Sequence, residues 1–330
     1  MKRVLLLLLI ALLFISSSYF IIKTFNEYKN YLNIQKSEKS LVDFLDMDEL
    51  LKRVENELSL STIYMGSDGK SDFNALQIAR DKTDEMIQKV TFIKDKAELK
   101  SDIRYVRSRV DVISTDYKAI IFDYYQGEIG ASILKSMKKE AKELFTKSHN
   151  LQDYMIAYID LIKFRNIINK EKSFITYILK QSKKMDKEDL INWDKMIGYQ
   201  ELFEITNLDE LSNSQINNIL KSPTIKDQVF SNRLKVALGA NEAQYSISSD
   251  EWLKGGDELI NVAQEAKITV FDTLKQKLTD IISSPEKIII YLAIAIILIL
   301  ILFILIYKLA EQNYERKNIR ISDNVLSARH

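Results

Sequence analysis

The sequence predicts an all-α protein: two packed four-helix bundles, about eight helices, between two transmembrane helices. Glycine (8) and proline (2) are scarce in 330 residues, so breaks are few and helices long. Apolar residues recur in steps of three and four, as in Ile103, Val106, Val110, Ile113, Tyr117, Ile120 and Tyr124, and again in Leu151, Met155, Tyr158 and Ile162. Such stripes line one face of a helix. No sustained apolar/polar alternation bounded by turn residues occurs, so no sheet is expected.

The first element follows a short basic start, Met1-Lys2-Arg3, and runs apolar from Val4 to Ile22 apart from Ser16, Ser17, Ser18 and Tyr19. At about 1.5 Å per residue it reaches roughly 28 Å, close to the thickness of a hydrocarbon core. A cleaved signal peptide is the rival reading, because Val4 to Ile15 has h-region length. An uncleaved anchor is preferred: no A-x-A site follows, and the apolar run continues into an amphipathic helix. The second span, Ile288 to Tyr307, holds no charge. Lys308, Arg316, Lys317 and Arg320 beyond it, with Lys2 and Arg3 at the other end, place residues 1–3 and 308–330 in the cytoplasm by the positive-inside tendency. Residues 23–287 then face outward from a bacterial inner membrane, a segment too large for one simple four-helix bundle and suited to two.

Within that segment the breaks are legible. Met65 to Gly69 reads as a turn, with Ser71 or Asp72 placed to cap the next helix. Gly127 and Gly130 bracket a second break. Asp186 is a plausible N-cap, Ser222-Pro223 a cap-then-proline start, and Ser248 to Glu251 a capping box ahead of Trp252.

Composition excludes several functions. The chain has no cysteine, so no disulfide, thiol nucleophile or thiolate metal site. With 47 basic and 46 acidic residues it lacks the basic excess of a nucleic-acid surface. His149 has no second ligand at metal spacing, and no Gly-rich phosphate loop or nucleophile elbow appears. Neither an enzyme nor a cofactor is expected.

The stretch from Leu51 to Asp84 resembles the first helical hairpin of the nitrate- and nitrite-sensing (NIT) family of sensor domains. Glu57-Leu58-Ser59 stands at that family's Glu-Arg-Gly triplet, Tyr64 to Ser67 at its turn, and Arg80-Asp81-Lys82-Thr83-Asp84 at its Arg-x-x-Thr-Asp signature. Further matches in kind and order are Arg107 to Asp111 with Tyr117, Leu161 to Asn166 leading to Glu171-Lys172-Ser173, Gln200 with Phe203, and Glu251-Trp252. The likeness covers roughly residues 45–280.

The resemblance implies a small anion, nitrate or nitrite in the family, held by arginines near the two Glu-Arg motifs. A guanidinium fork meets a planar anion with paired charge-assisted hydrogen bonds. The candidate ligand-binding residues carried over are therefore Glu57, Leu58, Ser61, Arg165, Glu171 and Lys172. This chain departs from the pattern at Leu58, which carries no charge, and at Lys172, which keeps the charge without the fork. Arg53 is out of phase with Leu58 and cannot stand in for it, whereas Arg165 shares the face of Lys172.

Blander readings stand beside these. Glu171 and Lys172 read equally as a solvated pair, Leu58 as core through its spacing with Val54, Ser61 and Met65, and Arg104, Arg107 and Arg109 as a solvated face. Tyr117, Tyr124, Tyr154 and Tyr158 read as bundle core with hydroxyls pointing outward. The 23 residues after Tyr307 are too short for a kinase or cyclase domain. The expected partners are thus the membrane, a small anion and a separate signalling protein such as a histidine kinase or chemoreceptor, with homodimer formation left open. The alternative is a helical envelope scaffold without a small ligand.

Overall fold

The computed structural model describes residues 2–71, 73–91, 96–144, 149–282 and 285–327. Among these are eleven helical segments and no strand: α1 Lys2–Gly66, α2 Phe73–Lys89, α3 Lys96–Asp111, the π-helix π1 Ala119–Gly130, α4 Ala131–Leu144, α5 His149–Lys180, α6 Lys187–Glu201, α7 Glu210–Leu220, α8 Pro223–Gly239, α9 Ser249–Ile282 and α10 Pro285–Ser327. They form two units, Met1–Lys36 with Leu278–His330, and Ser37–Lys277.

The first unit holds two helices long and apolar enough to cross a membrane, Leu7–Lys29 and Ile288–Glu311, with mean hydropathies of 2.0 and 3.6. Leu8, Leu12, Ile15, Leu300 and Phe303 are exposed, as lipid-facing residues are. Two of the hydroxyls within are satisfied locally, as a bilayer favours: those of Ser17 and Thr24 donate to the Leu13 and Phe20 carbonyls at 2.7 and 2.8 Å.

The second unit is built on the buried stretches of α1 and α5. Leu50, Leu51, Leu58 and Met65 are completely buried on α1, as are Leu161, Ile162, Phe174 and Ile178 on α5. Leu58 thus belongs to the core, as its three-and-four spacing predicts. The α1–α2 turn uses left-handed backbone at Asp68 (φ 51°) and Gly69 (φ 73°). Gly69 is also confined, because a Cβ there would lie 2.8 Å from Ile113 Cδ1. Ser71 Oγ makes no capping bond, and Asp72 lies outside the described residues.

The expected breaks and caps hold in part. Gly127 and Gly130 do not interrupt the chain: π1 runs through both and directly into α4. The break falls earlier, after Asp111, where Ile113 takes a positive φ of 52° and so leaves the stripe drawn through it. Beyond it, Tyr117 and Ile120 are buried as the stripe expects, and the wider π turn brings Ile121, Tyr125 and Ile129 inward as well, leaving Tyr124 half-exposed. Asp186 does form a capping box with Asp189, accepting from its backbone N–H at 2.8 Å. Ser222 caps with no side-chain bond. Ser248 accepts from the Glu251 N–H at 3.1 Å, while the Glu251 carboxylate turns to Lys235.

Candidate functional site

Two buried glutamates, one in each motif, organise the second unit. Glu57 on α1 has no exposed surface. Arg107 on α3 donates to it from Nε at 2.8 Å and from Nη2 at 2.9 Å, and Tyr125 on π1 donates its hydroxyl at 3.0 Å. The remaining Arg107 nitrogen reaches both oxygens of Asp84 on α2 at 2.9 Å, and Ser61 lies 3.2 Å from the Tyr125 hydroxyl. Arg107, with the carboxylates of Glu57 and Asp84, thereby ties α1, α2 and α3 together, and Tyr125 adds π1 to complete a four-helix bundle. Burial opposes the charge on Arg107, but Glu57 and Asp84 hold its pKa above even the usual guanidinium value; burial and the Glu57 charge push Tyr125 far up, so it remains a donor.

Glu171 on α5 repeats the device. Arg233 on α8 donates from Nε at 2.9 Å and Nη2 at 2.7 Å, Trp193 on α6 from its indole N–H at 2.8 Å, and Gln200 on α6 at 2.7 Å. Its neighbour Lys172 donates to Asp257 on α9 at 2.8 Å, and the Trp252 indole on α9 donates to the Lys172 carbonyl at 3.1 Å. This ties α5, α6, α8 and α9 into the second bundle. Both tryptophans of the chain lie at this hub.

A third network joins α1 to α5. Arg165 donates to Glu55 Oε2 at 2.8 Å and to Asp48 at 3.0 Å, while Tyr158 and Lys267 also donate to Asp48. All five side chains are buried. Burial alone would raise the Asp48 pKa, but Arg165 and Lys267 pull it below its ordinary value. Glu55 stays raised, chiefly by burial, and burial lowers Lys267.

The six expected site residues are therefore distributed, not gathered. Glu57 and Ser61 belong to the first hub, Glu171 and Lys172 to the second, Arg165 to the third network, and Leu58 to the core. Glu171 and Lys172 are not a solvated pair: both are buried and each has its own partner. Arg107 does not sit on a solvated face, since its side chain is only 13% exposed and is chelated by two carboxylates. Two of the four tyrosine hydroxyls do not point outward: Tyr117 and Tyr158 donate to the buried Asp189 and Asp48, whereas Tyr154 donates to the exposed Asp209 and the Tyr124 hydroxyl meets that of Tyr105 at the surface.

Sequence reasoning missed Arg233, Trp193, Asp48, Glu55 and Lys267. The signal available for two of them was rarity: Trp193 is one of the two tryptophans in the chain, and Arg233 is the one arginine of α8. Beside the second hub lies a cavity of about 20 Å³ lined by Lys172, Glu171, Asn232, Trp252 and Gly256 among others, room for about one water molecule. Among the described residues no three His, Asp or Glu side chains gather as metal ligands, and the His149 side chain lies outside the described ones.

A double helical bundle with a buried, guanidinium-bound glutamate at each hub, on a chain carrying two helices fit to span a membrane, has the form of a sensor domain. The family model for nitrate and nitrite sensing (NIT) matches residues 49–280, and the chain belongs to that family. No curated protein matches it. Among solved structures, the NasR transcription antiterminator aligns with a TM-score of 0.55 over 86% of this chain and 82% of that one, at 12% identity. That likeness concerns the fold.

Proposed function

We propose that the protein is a membrane-anchored sensor: residues 4–22 and 288–307 span a bacterial inner membrane with both termini inside, and residues 23–287 bind a small anion outside. The output passes to a separate signalling protein. Family membership supports the sensing role, and the two apolar helices flanking the matched region support the membrane setting.

The observation that carries the reading is the state of Lys172. Its side chain is 8% exposed, and its carboxylate partner Asp257 is 62% exposed. A buried ammonium held by a solvent-screened carboxylate is an exchangeable ion pair, since the partner gains little from the bond. An incoming anion replaces Asp257 at Lys172, frees α9 from α5 at that point, and changes the strain on the helix that continues toward the second span. The switch operates only if the anion binds the two arrangements with different affinities.

Titration calorimetry of the full chain in lipid nanodiscs, with nitrate, nitrite and a panel of small anions, tests this. Asp257→Asn is expected to strengthen one binding event and Lys172→Ala to weaken that same event about tenfold or more, the worth of one charged hydrogen bond. Absence of any binder at millimolar concentration contradicts the sensor reading and favours a ligand-free envelope scaffold.

A further inference from the structure

Four arginine side chains are largely buried in the second unit: Arg80, Arg107, Arg165 and Arg233, with side-chain exposures of 7, 13, 2 and 11%. Three of them share one geometry. Arg107 turns its Nε–Nη2 edge to the two oxygens of Glu57, Arg165 turns the same edge to Glu55, and Arg233 to Glu171. In each case the planar fork meets a planar carboxylate side-on, the pairing for which a guanidinium is built.

Arg80 is the exception. Its Nη1 binds Asp111 at 2.8 Å, while its Nε and Nη2, both shut off from water, have no hydrogen-bond partner. Those two atoms are the fork edge that the other three arginines fill. A buried donor without a partner costs about 1–3 kcal/mol, and more when charged. Two adjacent ones on a single cation form an unusually unfavourable arrangement, and a ligand with two coplanar oxygens would relieve it.

The local charge agrees. Counting every group at this hub, Glu57, Asp84 and Asp111 outnumber Arg80 and Arg107 by one. Asp84 and Asp111, however, are 50 and 48% exposed and are screened by solvent. Of the charges held in the interior, Glu57 is matched by Arg107, whereas Arg80 is paired with the half-exposed Asp111 through Nη1. Its field is felt nearby, where it acts to lower the pKa of Tyr125 against the effects of burial and of Glu57.

We infer that the Nε–Nη2 edge of Arg80, in the first bundle, is a binding site for a planar oxyanion such as nitrate, nitrite or a small carboxylate, separate from the Lys172 position in the second. This rests on the reading of the chain as an anion sensor and adds a second point of recognition. The ligand accepts two parallel charge-assisted bonds, as Glu57, Glu55 and Glu171 do from their arginines.

The test is nitrogen-15 NMR of the arginine Nε–H groups in the full chain in nanodiscs, titrated with nitrate, nitrite, acetate and, as a spherical control, chloride at equal ionic strength. The Arg80 resonance, identified by its loss in Arg80→Lys, is expected to move saturably with a planar oxyanion but not with chloride, in the wild type and in Lys172→Ala alike. Whether nitrate or acetate saturates it at the lower concentration tells an inorganic ligand from a carboxylate one. In calorimetry on the Lys172→Ala background, Arg80→Lys is expected to weaken the remaining binding about ten- to a hundredfold. An Arg80 resonance unmoved by every planar oxyanion, moved equally by chloride, or moved only when Lys172 is present overturns the inference, even where calorimetry upholds anion binding at Lys172. Absence of all anion binding overturns the sensor reading as well.

Discussion

Each hub is a carboxylate buried beyond the reach of water and fully satisfied by donors from other helices. A buried ion pair adds little net stability when whole, because desolvation offsets the attraction, but removing one partner leaves a bare charge in the interior. Arg107→Ala is therefore expected to cost about 3–5 kcal/mol, read as a lower unfolding midpoint in thermal denaturation, since it strands Glu57 at zero exposure. A loss of less than about 1 kcal/mol would contradict the hub. Glu57 and Glu171 were legible in the sequence because the family triplets mark them. Their guanidinium partners were not: Arg107 and Arg233 lie 50 and 62 residues away, and one helix read alone does not distinguish an arginine bound for a buried carboxylate from one on a wet face. Lys172 was legible as a position and misread as an environment, because burial is decided by α6, α8 and α9 packing over it.

Among the elements, the helices with ordinary periodicity followed the sequence, and π1 did not. A stripe drawn at steps of three and four from Ile103 to Tyr124 assumes 3.6 residues per turn, whereas the π turn carries more, so Tyr125 replaces Tyr124 as the inward residue and supplies the hydroxyl at Glu57. Two tests belong here. At the start of α7, Asp209 caps the helix through the Ser212 N–H at 3.0 Å and accepts from Tyr154 at 2.6 Å. The Tyr154 bond, chief among these, draws the Asp209 pKa down from its ordinary 3.8 to about 2. A carboxylate with a depressed folded-state pKa stabilises above its unfolded value and loses that effect as pH falls through the folded one. Asp209→Asn is thus expected to lower the unfolding temperature at neutral pH, with the difference from wild type closing between pH 3.8 and about 2. A difference that persists at pH 2 would contradict the assignment. On α9, a Cβ at Gly256 would come within 2.7 Å of Lys172 Cγ and Cδ. Gly256→Ala should therefore push Lys172 off Asp257, destabilise the second bundle by about 1–3 kcal/mol through overpacking, and alter the binding event that Asp257→Asn strengthens.

At the scale of the whole molecule, two helical bundles joined through Arg165 lie in the segment between two apolar spans. The helical class and the apolar ends were legible because hydrophobic periodicity and span length are local properties. The division of the candidate residues among three networks was not, because it depends on which of several amphipathic faces meet. On the proposed function, coupling runs along the chain: α1 and α9 carry hub residues and lead in sequence into the apolar helices, which gives a change at Lys172 or Arg80 a route that a scaffold would not need. The chain has no cysteine, so introduced ones label uniquely. The most direct measurement is the distance between spin labels at Tyr28→Cys and Ile289→Cys, exposed positions on the two helices, by pulsed electron resonance on the full chain in nanodiscs with and without saturating nitrate. The account predicts a shift of about 1–2 Å in the distance distribution, the scale of helix displacements in switching proteins, and its loss in the double variant Lys172→Ala, Arg80→Lys. An unchanged distribution in a sample that calorimetry shows to be saturated would contradict it.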